Sequence, residues 1–265
     1  MKIALMDSGI GLLAAAAAVR RLRPDAELVL SSDPGSMPWG PRTPQDVTAR
    51  ALAVAEAAAA HRPDALIVAC NTASVHALPA LRARLEPEVP VIGTVPAIKP
   101  AAAGGGPVAI WATPATTGSP YQRGLIREFA DGVTVTEVPC PGLADAVEHA
   151  DHAAVDAAIA AAAARTPDDV RAVVLGCTHY ELVAERIRAA VQRPGTAPLV
   201  LHGSAGAVAA QALRRTGEVP APQAPDQALD QGTVTVLLGG REGVLPATAL
   251  TYGEGRLLQA VSPAR

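Results

Sequence analysis

The chain has 265 residues, 49% of them hydrophobic but only 2% aromatic, and a formal net charge of −3. That length suits two α/β lobes or one large one, and its core can be filled by alanine and small aliphatic side chains in Ala-rich helices. The charge excludes a basic footprint for nucleic acid, and three cysteines without dense spacing argue against a disulfide framework and for a reducing compartment.

The N-terminus opens with Met1-Lys2, an apolar stretch and an alanine run at 14–18, which loosely mimics a signal peptide. Asp7, Ser8, Gly9 and Gly11 interrupt the apolar region and Arg20-Arg21 follow it. The pattern therefore predicts a strand over 2–6, a turn over 7–11 and a helix over 12–22 that ends before Pro24. A strand over 27–31 is closed by Asp33, and the Gly- and Pro-rich stretch 34–44 reads as irregular. Trp39, one of two tryptophans, sits in that stretch as a cover or wall. A helix over 43–60 has Thr43 as N-cap before Pro44.

An apolar run at 66–69 then delivers Cys70, ahead of a helical pattern at 78–84, and a strand over 91–95 ends at Pro96. Small, Gly-rich residues 101–107 read as the crossing to a second lobe. There a strand over 108–112, a threonine-rich turn over 113–119, a helix over 120–129, a strand over 133–138 and helices over 143–148 and 153–165 precede a second apolar run at 173–176. That run delivers Cys177, ahead of a helical pattern at 182–188. A strand at 199–201 ends at His202-Gly203-Ser204 and leads into a helix to about 215. Residues 217–232 read as a long surface excursion, and 234–238 and 249–261 finish the chain. No apolar run approaches the ~18–20 residues of a membrane span, so a soluble, cytoplasmic protein with no membrane partner is expected.

Strands alternating with helices predict parallel sheets with right-handed crossovers, whose ligands sit at the C-terminal strand ends. Asp7, Asp33, Cys70, Thr113, Cys177 and Ser204 all fall at such ends. The two cysteine blocks match: an apolar run, a small residue, the cysteine, then Asn71-Thr72 or Thr178-His179. A strand that delivers a cysteine to the start of a helix puts its sulfur where backbone N–H groups point, which lowers a thiol pKa.

Other chemistries compete for these residues. Gly9-Ile10-Gly11-Leu12-Leu13-Ala14 matches G-x-G-x-x-A after a strand, with Asp33 after the next, the pattern of a dinucleotide-dependent oxidoreductase. Asp7-Ser8 counts against it, because a carboxylate there would repel a pyrophosphate. Cys70, Cys177 and His179 lack the spacing of a structural zinc site, and the cysteines do not form C-x-x-C. No metal is expected. Cys140, between two prolines, reads as structural. Two opposed thiols, by contrast, can take a proton from one face of a carbon and return one on the other, inverting it without a cofactor. Ser8, Asn71, Thr72, Thr113 and Thr178 can hold the charge on a carboxylate substrate, and Asp7 and His179 can set the protonation of the thiols.

Asp7-Ser8-Gly9-Ile10-Gly11, Pro38-Trp39-Gly40, Ala69-Cys70-Asn71-Thr72-Ala73, Pro90-Val91-Ile92-Gly93 and Leu175-Gly176-Cys177-Thr178-His179-Tyr180 resemble the signature blocks of glutamate racemases, in the cofactor-independent aspartate/glutamate racemase superfamily. Ala112-Thr113 with Thr116 and Tyr121, and Cys140 with Glu148, resemble further blocks; the match runs from residue 3 to about 211. The resemblance implies two flavodoxin-like α/β lobes with parallel sheets, pseudo-two-fold related, with the active site in the cleft between them. The first lobe would be 1–97 plus 205–265 and the second, inserted, 98–204. It implies that Cys70 deprotonates D-glutamate and Cys177 L-glutamate, assisted by Asp7, Glu148 and His179. Asp7, Ser8, Trp39, Gly40, Asn71, Thr72, Thr113, Thr116, Thr178 and His179 would bind substrate. The product would feed peptidoglycan synthesis, and many members form homodimers.

Three positions depart from the family pattern: Leu12 replaces a glycine, Trp39 a tyrosine and Glu181 a proline. The thiols and their neighbours are intact, so these departures bear on substrate choice. A paralogue acting on aspartate or another small acid, and a binding protein that has lost turnover, are the remaining alternatives.

Overall fold

The structure is a computed structural model that describes residues 1–222 and 232–259. It divides into two compact units, one of Met1–Thr94 with the described residues from Ala205 onward, the other of Val95–Ser204.

The first unit begins with β1 (Lys2–Asp7), α1 (Leu12–Leu22), β2 (Glu27–Ser32), α2 (Pro44–Ala59), β3 (Ala65–Val68), α3 (Asn71–His76), α4 (Leu78–Leu85) and β4 (Val91–Gly93). β1 is buried from Ile3 to Asp7 and β3 throughout, as the unbroken apolar runs require of strands covered on both faces. α2 starts where Thr43 Oγ1 accepts the Asp46 N–H at 3.2 Å, with Pro44 in the first turn. Trp39, Met6, Val47, Ala51, Val68, Cys70 and Ala73 share one buried cluster.

The second unit holds α5 (Ile98–Ala103), β5 (Val108–Ala112), α6 (Pro120–Phe129), β6 (Val135–Pro139), α7 (Leu143–Glu148), α8 (His152–Ala163), β7 (Ala172–Leu175), α9 (Thr178–Glu181), α10 (Ala184–Val191) and β8 (Val200–His202). The chain then returns to the first unit with α11 (Ala205–Thr216), β9 (Val234–Leu238), β10 (Arg241–Gly243) and α12 (Gly253–Gln259).

The first sheet runs β10-β9-β2-β1-β3-β4 and the second β6-β5-β7-β8. Among the described residues all strand pairings are parallel except β9 with β10. Within each unit the opening strand has its successor on one side and the cysteine-bearing strand on the other. Strand order therefore reverses between β1 and β3, and between β5 and β7. Such a reversal opens a crevice beyond the strand ends, where ligands bind in open α/β sheets.

The structure departs locally from the sequence reading. The stretch after β2 contains a short 3₁₀ turn over Pro34–Ser36. The chain passes between units at Thr94 and Val95, while 101–107 lies inside the second unit as the end of α5 and the turn into β5. β10 went unread because Arg241-Glu242-Gly243 is exposed at every residue and carries no apolar pattern. Of the excursion at 217–232, residues 223–231 lie outside the described residues, as do 260–261 of the final segment.

Candidate active site

In the first unit, Asp7 ends β1 and Ser8 follows it, with the Ser8 hydroxyl donating to Asp7 Oδ1 at 3.3 Å. Asp7 is wholly buried, and Ser8 and Asn71 nearly so. The Ala69 N–H donates to Met6 O at 2.8 Å, tying the residue before Cys70 to the residue before Asp7. Cys70 is 5% exposed and stands in extended backbone at the N-cap of α3, so Asn71 and Thr72 form the helix's first turn.

The second unit repeats this construction. The Gly176 N–H donates to Trp111 O at 2.7 Å, and Cys177 occupies the extended N-cap of α9 ahead of Thr178 and His179. Matching Met6-Asp7-Ser8 to Trp111-Ala112-Thr113 puts Thr113 where the first unit has Ser8, and Ala112 where it has Asp7. A Cβ on Gly176 would stand 2.8 Å from Trp111 O, so the two strands meet here with no room for a side chain. Thr113 Oγ1 lies 3.2 Å from Thr116 Oγ1 in the turn after β5. Tyr121, in the first turn of α6, is half-buried, and burial pushes its phenol pKa up.

Beside its cysteine the second unit carries a histidine. His179 Nδ1 lies 3.9 Å from Cys177 Sγ, and its Nε2 lies 2.9 Å from Glu148 Oε2 at the end of α7. The imidazole is 3% exposed and the carboxyl side chain 10%. With Glu148 ionised and accepting a hydrogen bond from Nε2–H, a neutral ring would turn its Nδ1 lone pair toward the thiol.

Cys140 is 1% exposed, and its Sγ faces Val138 O at 3.5 Å. Burial first, and the Cys177 charge second, push its thiol up to about 12. It therefore stays a neutral thiol near neutral pH.

Trp39 is 2% exposed, and its Nε1–H donates to Ser36 Oγ at 2.9 Å. The indole's one polar group is thus turned to its own loop. The Ser36 hydroxyl in turn donates to Asp33 Oδ2, and Arg50 approaches the same carboxylate at 3.4 Å. Asp33, the acidic residue of the dinucleotide pattern, is therefore held by Ser36 and Arg50. Sequence reading missed Ser36 as the partner of Trp39, which only the turn geometry reveals. It also gave no partner to Glu181, whose Oε1 accepts both the N–H and the hydroxyl of Ser204 at 2.8 Å.

The Asp/Glu/Hydantoin racemase family matches residues 11–211 of the chain. Among curated proteins, glutamate racemase of Roseiflexus sp. is 40% identical over 195 residues, covering 71% of this chain and 70% of that one. Glutamate racemase of Granulibacter bethesdensis is 38% identical over 232 residues, covering 84% and 82%. Among solved structures, Escherichia coli glutamate racemase, in complex with L-glutamate and the activator UDP-MurNAc-Ala, has a TM-score of 0.76 at 27% identity, covering 98% of this chain and 93% of that one. The Thermus thermophilus enzyme, in complex with β-chloro-D-alanine, gives 0.69 at 28%, covering 99% and 94%. The fold extends to an allantoin racemase at 18% identity with a TM-score of 0.50, covering 86% and 96%. Among the described residues no helix is long and apolar enough to cross a membrane.

Proposed function

The chain belongs to the Asp/Glu/Hydantoin racemase family, and from that premise we propose that it interconverts L- and D-glutamate without a cofactor, using Cys70 and Cys177 as the acid–base pair. The observation that carries this reading is the Cys177–His179–Glu148 chain at one strand end, matched in the other unit by Cys70 at the N-cap of α3, after β3, and by Asp7 and Ser8 at the end of the paired strand β1. The two units are taken as the two lobes that the family resemblance implies.

With L-glutamate bound, the Cys177 thiolate takes the Cα proton and becomes a thiol. The Cys70 thiol gives its proton to the opposite face of the carbanion and becomes a thiolate. One C–H bond breaks and one forms, so the protons balance. The D enantiomer reacts by the reverse sequence. A Cα–H beside a carboxylate is a very weak acid, so the site must stabilise the carbanion as charge develops. The first-turn N–H groups of α3 and α9, with Ser8, Asn71, Thr72, Thr113, Thr116 and Thr178, are suited to the substrate carboxylates. Gly40 would offer backbone to the substrate, and Trp39 an apolar wall rather than a hydrogen bond.

His179 would take the thiol proton through Nδ1, while Glu148 stabilises the imidazolium that forms. Asp7, buried beside Ser8, would do the corresponding work for Cys70. On this reading the product is D-glutamate for peptidoglycan, made in the cytoplasm, by a homodimer. The test is proton NMR of L-glutamate with the protein in D2O, followed by circular dichroism of the amino acid. Loss of the Cα–H signal with decay of optical activity is expected; retention of both would overturn the reading.

A second reading keeps the chemistry and changes the substrate to aspartate or another small acid. Trp39 favours considering it, because its N–H is committed to Ser36 and no hydroxyl stands at that position. The same NMR measurement with aspartate separates the two. The family match does not favour the dinucleotide reading of Gly9–Ala14.

A further inference from the structure

α9 is a single turn of four residues, yet it carries the residues that follow Cys177. A helix that short cannot hold itself by its own hydrogen bonds. Three successive side chains hold it from outside. His179 reaches Glu148 at 2.9 Å, the Tyr180 hydroxyl donates to Cys140 O at 3.3 Å, and Glu181 Oε1 takes both donors of Ser204 at 2.8 Å. The first contact belongs to the proton chemistry and the second is made by a fully buried ring. The third is made by a carboxylate, at the position where the resemblance to the family would have a proline.

We infer that Glu181 is a positioning residue for Cys177: by clamping Ser204, its carboxylate fixes the turn that aims the thiol. Ser204 is the last residue of the second unit, directly before α11 returns the chain to the first, and it is only 5% exposed. A carboxylate that accepts two hydrogen bonds makes a charge-assisted contact, stronger than a neutral one. A proline would restrain this turn through its fixed φ; here the restraint comes from the side chain. The fit is close on the far side as well. A Cβ on Gly203 would stand 2.3 Å from Glu181 Oε2 and 2.6 Å from its Cδ, so the glycine leaves the space that the carboxylate fills.

This inference rests on the two-thiol reading, and its test is chosen to fail separately from it. L- and D-glutamate are equal in free energy, so kcat/KM must be equal in the two directions for any variant. A defect at one thiol therefore appears in isotope effects rather than in that ratio. Glu181→Ala is expected to lower kcat/KM by about 10- to 100-fold, the scale of a reacting group displaced by about an ångström. The primary isotope effect with α-deuterated L-glutamate should rise, because removal of that proton by Cys177 becomes rate-limiting, and the effect with α-deuterated D-glutamate should not rise. Glu181→Gln keeps an acceptor oxygen and should retain most activity.

Gly203→Ala should reproduce the pattern in a chain that keeps Glu181, by pushing the carboxylate off Ser204. The double variant should be no worse than Glu181→Ala alone. Equal isotope effects for both enantiomers, or additive losses in the double variant, would overturn the inference. Iodoacetamide alkylation, read by peptide mass spectrometry, gives a measure independent of turnover. Glu181→Ala should change the rate at Cys177 and not at Cys70, and unchanged rates at both would overturn it. A wild-type protein that exchanges no Cα–H but shows the Cys177-selective change loses the glutamate reading and keeps the clamp.

Discussion

His179 and Glu148 stand 31 residues apart in the chain, yet Nε2 lies 2.9 Å from Oε2 and both side chains are almost shut off from water. The pair fixes which imidazole nitrogen faces Cys177. Glu148→Ala removes the acceptor and leaves the buried Nε2 without this carboxylate, at a cost of about 1–3 kcal/mol in stability. Glu148→Gln preserves shape while removing the charge that stabilises an imidazolium, so it separates the two roles. It is expected to unfold near the wild-type temperature and to lose about 10²- to 10⁴-fold in kcat, the usual range for a general acid–base group. Thermal melts and racemisation assayed by circular dichroism check both halves.

The cysteines are expected to be separable by isotope exchange. In Cys70→Ser, Cys177 can still take the proton of L-glutamate and return a deuteron to the same face. Net inversion should be nearly abolished, while slow Cα–H exchange persists for the L enantiomer alone. Cys177→Ser should show the mirror result with D-glutamate. Proton NMR of each enantiomer in D2O reads both; full racemisation by either variant would sink the two-thiol proposal.

Much of this was legible in the residues, for identifiable reasons. The buried parallel strands announce themselves as unbroken apolar runs, and Thr43-Pro44 and Ser119-Pro120 punctuate helices α2 and α6. The twin cysteine blocks could be matched by eye because each unit uses the same strand, small residue and N-cap. Contacts between distant segments were not legible. Nothing in the spacing couples Glu148 to His179, and that role came only from family likeness. Likewise Ser36 under Trp39 and Ser204 on Glu181 depend on where loops fold back, which no period encodes. β10 escaped because an exposed edge strand needs no apolar alternation.

Cys140 should give the protein an alkaline weakness. Its thiol is pushed up to about 12 in the fold from an ordinary 9.0, chiefly by burial. The folded state therefore favours the neutral thiol, and that contribution is fully present below the unfolded value. As pH rises above 9, the unfolded chain ionises and the folded one does not. Stability then falls by about 1.4 kcal/mol per pH unit until the folded thiol also titrates. Cys140→Ala should flatten this part of the stability curve while leaving racemisation intact near neutral pH. Melting temperatures of both proteins between about pH 8 and 10.5 test the difference in slope.

Gly176 is expected to tolerate no side chain. The Cβ of an alanine would meet Trp111 O at 2.8 Å and Ala112 Cβ at 3.1 Å, and a backbone carbonyl in a central strand cannot swing aside as a side-chain tip can. Relief requires β5 and β7 to separate just where the Gly176 N–H donates to Trp111 O at 2.7 Å. Overpacking of this kind costs about 1–3 kcal/mol. It should also displace Cys177, the next residue, relative to Thr113 at the end of β5. Gly176→Ala is therefore expected to lower kcat more than its modest loss of stability would suggest. Ala69, at the corresponding place in the first unit, already carries the methyl group, so Ala69→Gly should weaken stability slightly without this kinetic penalty. Parallel melts and kcat measurements on the two variants decide it: equal kinetic effects would show that the close approach at Gly176 has no bearing on Cys177.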